Sequence, residues 1–330
     1  MMHIRVRKIL LLIFCVGTLY AGAQNKTGIT GEVDTSYSTY SAWQQTRQAN
    51  SDVKIVPEYK SPDVIERKDI TYCRVGNRQL KLDVFSPKMK TASNGIAVII
   101  LHGGGWRSGN RTQHYPLAQH LAALGYTCFT PEYRLSTEAL FPAAVYDVKA
   151  AVRWVRENAA AYQIDSAKIV AAGFSAGGEL AAFMGTTGNM PLFEGTSCSM
   201  QHHSHVNAVV DIDGTLSFVH PDGGEGDDSK RISAGTYWFG YAKKENLKLW
   251  EAASPLSYVS AATPPTLFIN SAVSRMHAGR EDYVSILKAH NIYAEVHSFD
   301  EAPHSFCLFD PWFQPTVKYI DAFLKKVFVQ

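Results

Sequence analysis

From Asp69 onward, apolar and polar positions follow two rhythms that alternate along the chain. Residues 69–75 and 80–87 read as a strand pair, and Ile96 to Leu101 is apolar without a break, as in a central parallel strand covered on both faces. Residues 116–125 fit a helix that stops at Gly125, and 126–133 fit another strand. Val145, Val148, Val152 and Val155 mark one stripe of a further helix. A strand from Lys168 runs into a tight turn and a helix over 179–185; residues 206–214, 266–270 and 293–299 read as strands, and 317–328 as a terminal helix. Strands alternating with helices predict an α/β fold: a mostly parallel, doubly wound sheet with helices on both faces. An irregular stretch between residues 214 and 247 interrupts the pattern.

Ahead of this regular part the pattern changes twice. Arg5, Arg7 and Lys8 precede a short apolar run over 9–20, and Ala21-Gly22-Ala23 follows it. A basic segment, an apolar segment and a small-residue cleavage site predict a signal peptide over 1–23 and a periplasmic or secreted protein. The run is shorter than the ~20 residues of a membrane-spanning helix, so no stable membrane association is expected. Residues 24–66 are polar, rich in Ser, Thr and Tyr, and lack a sustained period. They read as an extension that drapes on the domain or is partly disordered, leaving 67–330 as the catalytic domain.

Composition narrows the partners. The 330 residues carry a net charge of +2, which leaves no nucleic-acid footprint. Removal of Cys15 with the leader leaves Cys73, Cys128, Cys198 and Cys307, which allow three pairings. Cys73 and Cys128 lie in strand-like segments and read as plain core thiols. No Cys/His spacing suggests zinc, and the histidines at 202, 203 and 205 and the acidic glycine-rich run 222–228 read as surface loops.

Chemistry concentrates at three places. Gly173-Phe-Ser-Ala-Gly-Gly178 fits G-x-S-x-G between a strand and a helix, where small neighbours allow a sharp turn that lifts the Ser175 hydroxyl above the sheet. His102-Gly103-Gly104-Gly105-Trp106 follows the buried strand; without Cβ atoms, the backbone N–H groups of Gly104 and Gly105, with that of Ala176, make a candidate oxyanion hole. His102 there reads as a brace for the loop. His304 follows a late strand, as a general base serving Ser175 must.

Together these motifs resemble the α/β-hydrolase superfamily, in its HGGG-type esterase branch of BD-FAE and acetyl-xylan esterase-like enzymes. More narrowly, HGGGW, GFSAGG, FINSAVSRMHAGRED and EAPHSFCLFDPWF resemble exported pectin- or xylan-directed carbohydrate esterases, and the cationic loop with Arg275, His277 and Arg280 favours pectin. The resemblance covers roughly Ile65 to the C-terminus. It implies a serine esterase acting through a Ser–His–acid acyl-enzyme mechanism on a polysaccharide or oligosaccharide ester, with no metal or organic cofactor.

The acid departs from the family pattern, because Ser274 occupies the place of the usual aspartate. Asp213, at the end of the strand after the nucleophile helix, is the preferred replacement; Glu281 is the alternative, and loss of an effective acid is the third outcome. Asp211 reads as structural. Arg275, His277 and Arg280 in the vacated loop are candidates for binding a uronate carboxylate through charged hydrogen bonds. Trp106, with Trp238, Phe239 and Tyr241, either stacks on sugar rings or forms the core of a lid. The alternatives are an acetyl-xylan or feruloyl esterase, a general carboxylesterase, a peptidase sharing the hydrolase domain, and a non-catalytic binding protein of the same fold.

Overall fold

The structure, a computed structural model, describes residues 26–188 and 190–329; the expected leader at 1–23 lies outside the described residues. In chain order the elements are α1 (Thr39–Thr46), β1 (Lys54–Ile55), β2 (Val64–Val75), β3 (Arg78–Pro87), β4 (Ala97–Leu101), α2 (Tyr115–Ala123), β5 (Thr127–Pro131), α3 (Ala143–Glu157), β6 (Ile169–Phe174), α4 (Ala176–Thr186) and β7 (Ala208–Ile212). They continue with α5 (Ala234–Phe239), α6 (Leu247–Ala252), β8 (Thr266–Asn270), α7 (Arg280–Ala289), β9 (Ala294–Ser298), β10 (Phe309–Asp310) and α8 (Phe313–Phe328). An eight-stranded sheet has the order β2-β3-β5-β4-β6-β7-β8-β9, and β3 runs antiparallel to both its neighbours while the later pairs are parallel.

The unbroken apolar runs are explained by burial on both faces. Along a strand, side chains alternate between faces. Val98, Ile100, Val170, Ala172, Val210 and Ile212 pack into the layer of α2 and α8, while Ile99, Leu101, Ala171 and Val209 pack into the layer of α3 and α4. The four valines of the α3 stripe are fully buried, each contributing about 1.5–3 kcal/mol. Among the described residues no helix is long and apolar enough to cross a membrane.

Two parts go beyond the sequence reading. Residues 26–66 drape on the domain, the first of the two expected alternatives, and are ordered into α1, β1 and the start of β2. A Ser38–Ser41 capping box starts α1, β1 pairs with β10, and Ala42, Val53 and Val56 join the core. These contacts are tertiary, so no periodicity announces them. Cys73 is not a plain thiol: it forms a disulfide with Cys198 across a separation of 125 residues. Cys128 and Cys307 are buried thiols.

The disulfide ties β2 to the loop after α4. Closing so long a loop removes unfolded-chain entropy, typically about 2–4 kcal/mol. Replacing Cys73 or Cys198 by Ser is expected to lower the melting temperature by roughly 5–10 °C. In unreduced, denatured protein Cys128 and Cys307 should alkylate and Cys73 and Cys198 should not; alkylation of Cys73 would refute the pairing.

Candidate active site

The site is set by strand register. Leu101 of β4 lies opposite Gly173 of β6, and Phe174 of β6 opposite Ile212 of β7. One residue beyond those partners stand Ser175 and Asp213, level on adjacent strands at the carboxyl edge of the sheet, where open α/β sheets bind ligands. Both leave the strand in left-handed backbone geometry, with φ 56° at Ser175 and 52° at Asp213. The turn at Ser175 brings α4 hard against β4: a Cβ on Gly177 would stand 2.2 Å from the Leu101 carbonyl oxygen.

His304 reaches in from the loop after β9 and joins the two. Its Nε2 lies 2.9 Å from Ser175 Oγ and its Nδ1 lies 2.9 Å from Asp213 Oδ2. With the proton on Nδ1, the imidazole donates to Asp213 and turns the Nε2 lone pair to the serine hydroxyl. Asp213 is fully buried. Its other oxygen accepts from the Ser271 N–H at 2.9 Å and the Asn270 amide at 3.3 Å. The loop after β8, which lacks the usual acid, therefore supplies donors to an acid carried one strand away. Such an arrangement can strip a proton from a hydroxyl and hand it on.

The glycine loop faces the same cleft, whose volume is about 670 Å³ and whose lining includes Gly104, Gly105, Ser175 and His304. Gly104 adopts φ +125°, and a Cβ there would lie 2.2 Å from the Ser108 carbonyl oxygen, so only glycine fits. The N–H groups of Gly104, Gly105 and Ala176 have no acceptor among the described residues. His102 is fully buried, with its pKa pushed down to about 4 by burial. Its ring lies flat on Tyr133 with centroids 4.4 Å apart, and the Tyr133 hydroxyl donates to its carbonyl at 2.7 Å. It braces the loop as a neutral ring.

Three of the expected site residues lie outside the cleft. Glu281 does not reach His304: its side chain is 77% exposed and pairs with Arg280 at 2.7 Å. It sits in the first turn of α7, which leads away from the sheet edge. Arg280 does not face the cleft but donates to Asn270 Oδ1 at 2.8 Å, bracing the amide that bonds Asp213. His277 Nε2 donates to the Ser271 carbonyl at 2.8 Å and so pins the same turn. Trp106 is only 3% exposed; it stacks on Trp238 with centroids 4.7 Å apart and donates to Glu179 Oε2 at 2.8 Å. It lines the cleft from within an aromatic core shared with Phe218 and Trp238, the second of the two roles expected for it. Arg275 does line the cleft, where it pairs with Glu225 at 3.0 Å.

The cleft has further walls that no motif announced: Tyr37 from the extension, Arg107, and Arg231 and Tyr237 of the insert. Arg107 pairs with Asp34 at 2.6 Å, whereas Arg231 makes no ion pair among the described residues. Beneath the turn, Glu179 and Asp211 are buried carboxyls, and each has one oxygen without a hydrogen-bond partner.

A family model described as BD-FAE matches residues 82–276, more than half of the chain. Esterase LipQ of Mycobacterium tuberculosis (strain ATCC 25618 / H37Rv) is 28% identical over 74% of this chain and 58% of its own length. The chain thus spans little more than half the length of that relative. Among solved structures, a truncated form of a carbohydrate esterase from gut microbiota superposes with a TM-score of 0.68 at 23% identity, covering 82% of this chain and 100% of that one; this likeness shows the fold. Est2, an esterase from Thermogutta terrifontis solved with butyrate, superposes with a TM-score of 0.65 at 26% identity, covering 81% and 95%. The fold is that of the α/β-hydrolases.

Burial, reinforced by the charge of Asp213, pushes the Asp211 carboxyl up to about 7, and burial raises Glu179 as well. From about pH 4 to 7 the folded protein therefore holds a proton that an unfolded Asp211 has released. Stability falls as pH rises through that window and levels off above it, by an amount on the order of 4 kcal/mol for Asp211. Asp211→Asn removes this titration. Its stability relative to the parent should rise from pH 4.5 to 7.5, measured by denaturant midpoints; parallel curves would show that Asp211 does not titrate there.

Proposed function

The chain belongs to the BD-FAE family, and from that premise we propose that it is a serine esterase cleaving an ester on a plant polysaccharide, a uronate-containing polymer such as pectin. The observation that carries this reading is the continuous relay from Ser175 through His304 to Asp213, with both contacts at 2.9 Å and open to a cleft. Ser175 Oγ attacks the ester carbonyl while His304 Nε2 takes its proton. The Gly104, Gly105 and Ala176 N–H groups hold the oxyanion of the tetrahedral intermediate. As the intermediate collapses, the C–O bond to the alcohol breaks and His304 gives the proton to the departing oxygen. Water then attacks the acyl-serine, losing its proton to His304; the acid leaves and Ser175 regains its proton.

The polymer class is supported by the cleft walls. Arg275, and Arg231, which makes no ion pair among the described residues, are candidates for forked hydrogen bonds to a carboxylate, and Tyr37 and Tyr237 add aromatic side chains to the lining. Export through the leader, to the periplasm or outside the cell, completes the proposal. The Cys73–Cys198 disulfide supports it, since such bonds persist in oxidising compartments.

A fluorophosphonate probe is expected to label Ser175, and folded protein that stays unlabelled would sink the esterase reading. Asp213→Asn should lower kcat by roughly 10⁴ while Glu281→Gln leaves it unchanged; the reverse result would move the acid to Glu281. Incubated with methyl-esterified pectin, acetylated pectin and acetyl-xylan, the enzyme is expected to release methanol or acetate from pectin. Acetate from neutral xylan alone would refute the uronate assignment and leave the esterase.

A further inference from the structure

We propose that the segment ahead of α1 is a working wall of the active site: Asp34, through Arg107, sets the Gly104–Gly105 peptide, and Tyr37 bounds the alcohol side of the cleft. The proposal rests on the reading of Ser175 as the nucleophile and assigns roles to residues outside the family match at 82–276.

The segment is tied across the mouth of the site. The Gly28 N–H donates to the Tyr237 carbonyl at 2.9 Å, and the Gly31 N–H to the Thr137 carbonyl at 2.9 Å. Asp34 forms a bridge alongside Ser108, and its Oδ2 accepts from Arg107 Nε at 2.6 Å. Arg107 also donates to the Gly28 carbonyl at 3.1 Å and lies 4.4 Å over the Tyr237 ring. The guanidinium is thus held on three sides, two of them by the segment.

That anchorage reaches the oxyanion loop through one peptide plane. The Gly104 carbonyl accepts from the Arg107 and Ser108 N–H groups at 3.2 and 3.0 Å, and from Ser108 Oγ at 3.0 Å. In a trans peptide the carbonyl and the next N–H point in opposite directions. Holding the Gly104 oxygen therefore aims the Gly105 N–H the other way. Asp34 is accordingly a positioning residue, acting through Arg107.

Tyr37 works at the other end of the relay. It lines the cleft, and its hydroxyl lies 3.2 Å from Ser305 Oγ, next to His304. The leaving alcohol must take its proton from His304, so it departs on the side that Tyr37 bounds.

The full chain is assayed with methyl and naphthyl acetates and with a fluorophosphonate probe. Asp34→Asn should slow labelling of Ser175 and lower kcat roughly tenfold, as small misplacements do, with KM within about twofold and the melting temperature unchanged; Asp34→Glu should restore part of the loss. Tyr37→Ala should shift the naphthyl-to-methyl ratio of kcat/KM roughly tenfold toward naphthyl, and Tyr37→Phe should keep the parental ratio. Parental labelling rates in Asp34→Asn, or a loss that only tracks a lowered melting temperature, would overturn the role of Asp34. An unchanged ratio in Tyr37→Ala would overturn that of Tyr37. If the parent itself is not labelled, the nucleophile reading fails and this proposal with it; a labelled parent with indifferent variants defeats the wall alone.

Discussion

The pairing of Phe174 with Ile212 is the constraint on which the site depends. It sets Ser175 and Asp213 at one height on neighbouring strands, and both positions then require left-handed backbone geometry, which costs a non-glycine residue on the order of 1–3 kcal/mol. The ladder continues one step past the strand ends and holds that strain. The Ser175 N–H donates to the Ile212 carbonyl at 2.9 Å and the Asp213 N–H to the Ile269 carbonyl at 3.0 Å. A side chain at such a corner cannot follow the pleat, so both groups project over the edge, where His304 bridges them.

Asp213 organises what lies beyond the sheet. Among the described residues no Lys or Arg pairs with this fully buried carboxylate; instead donors converge on it from Asn270 and Ser271 at the end of β8 and from His304 after β9. Arg280 and His277 hold those donors from behind. Arg280 and His277 are therefore part of the relay's support, which explains why neither lines the cleft. Asp211, two residues earlier, lies against Gly178 and Gly214. Its one bonded oxygen accepts from the Gly214 N–H at 2.8 Å, and burial without further donors favours its neutral form.

What was legible in the sequence follows local rules. Small residues around Ser175, glycines after an apolar strand, and period-two burial each state their structural need within a few positions, and those elements lie where the pattern placed them. The partner of His304 does not, because the choice between Asp213 and Glu281 is decided by register across β6, β7 and β8 rather than by spacing. The choice between two roles for Trp106 was open for a related reason: glycine neighbours suggest an open loop, yet its indole is held inward by Glu179 and Trp238. The extension was illegible because its anchors, Tyr37 on Ser305 and Trp43 on the Val53 carbonyl, are isolated contacts in polar surroundings.

Chemistry and selection thus come from different kinds of segment. Ser175 and Asp213 stand at strand ends, where the ladder fixes them, and His304 comes from the loop after β9; the walls come from the extension, the insert and the loop after β8. Two of the wall arginines are each matched by an acid, Arg107 by Asp34 and Arg275 by Glu225. Such half-exposed pairs add little to stability, about 0–1 kcal/mol, but they hold long side chains in one place. A substrate carboxylate approaching Arg275 would have to compete with Glu225, whereas Arg231 has no ion-pair partner among the described residues. If the cleft receives an acidic sugar, its carboxylate therefore belongs nearer Arg231, and the insert, rather than the loop that lost its acid, carries the selectivity.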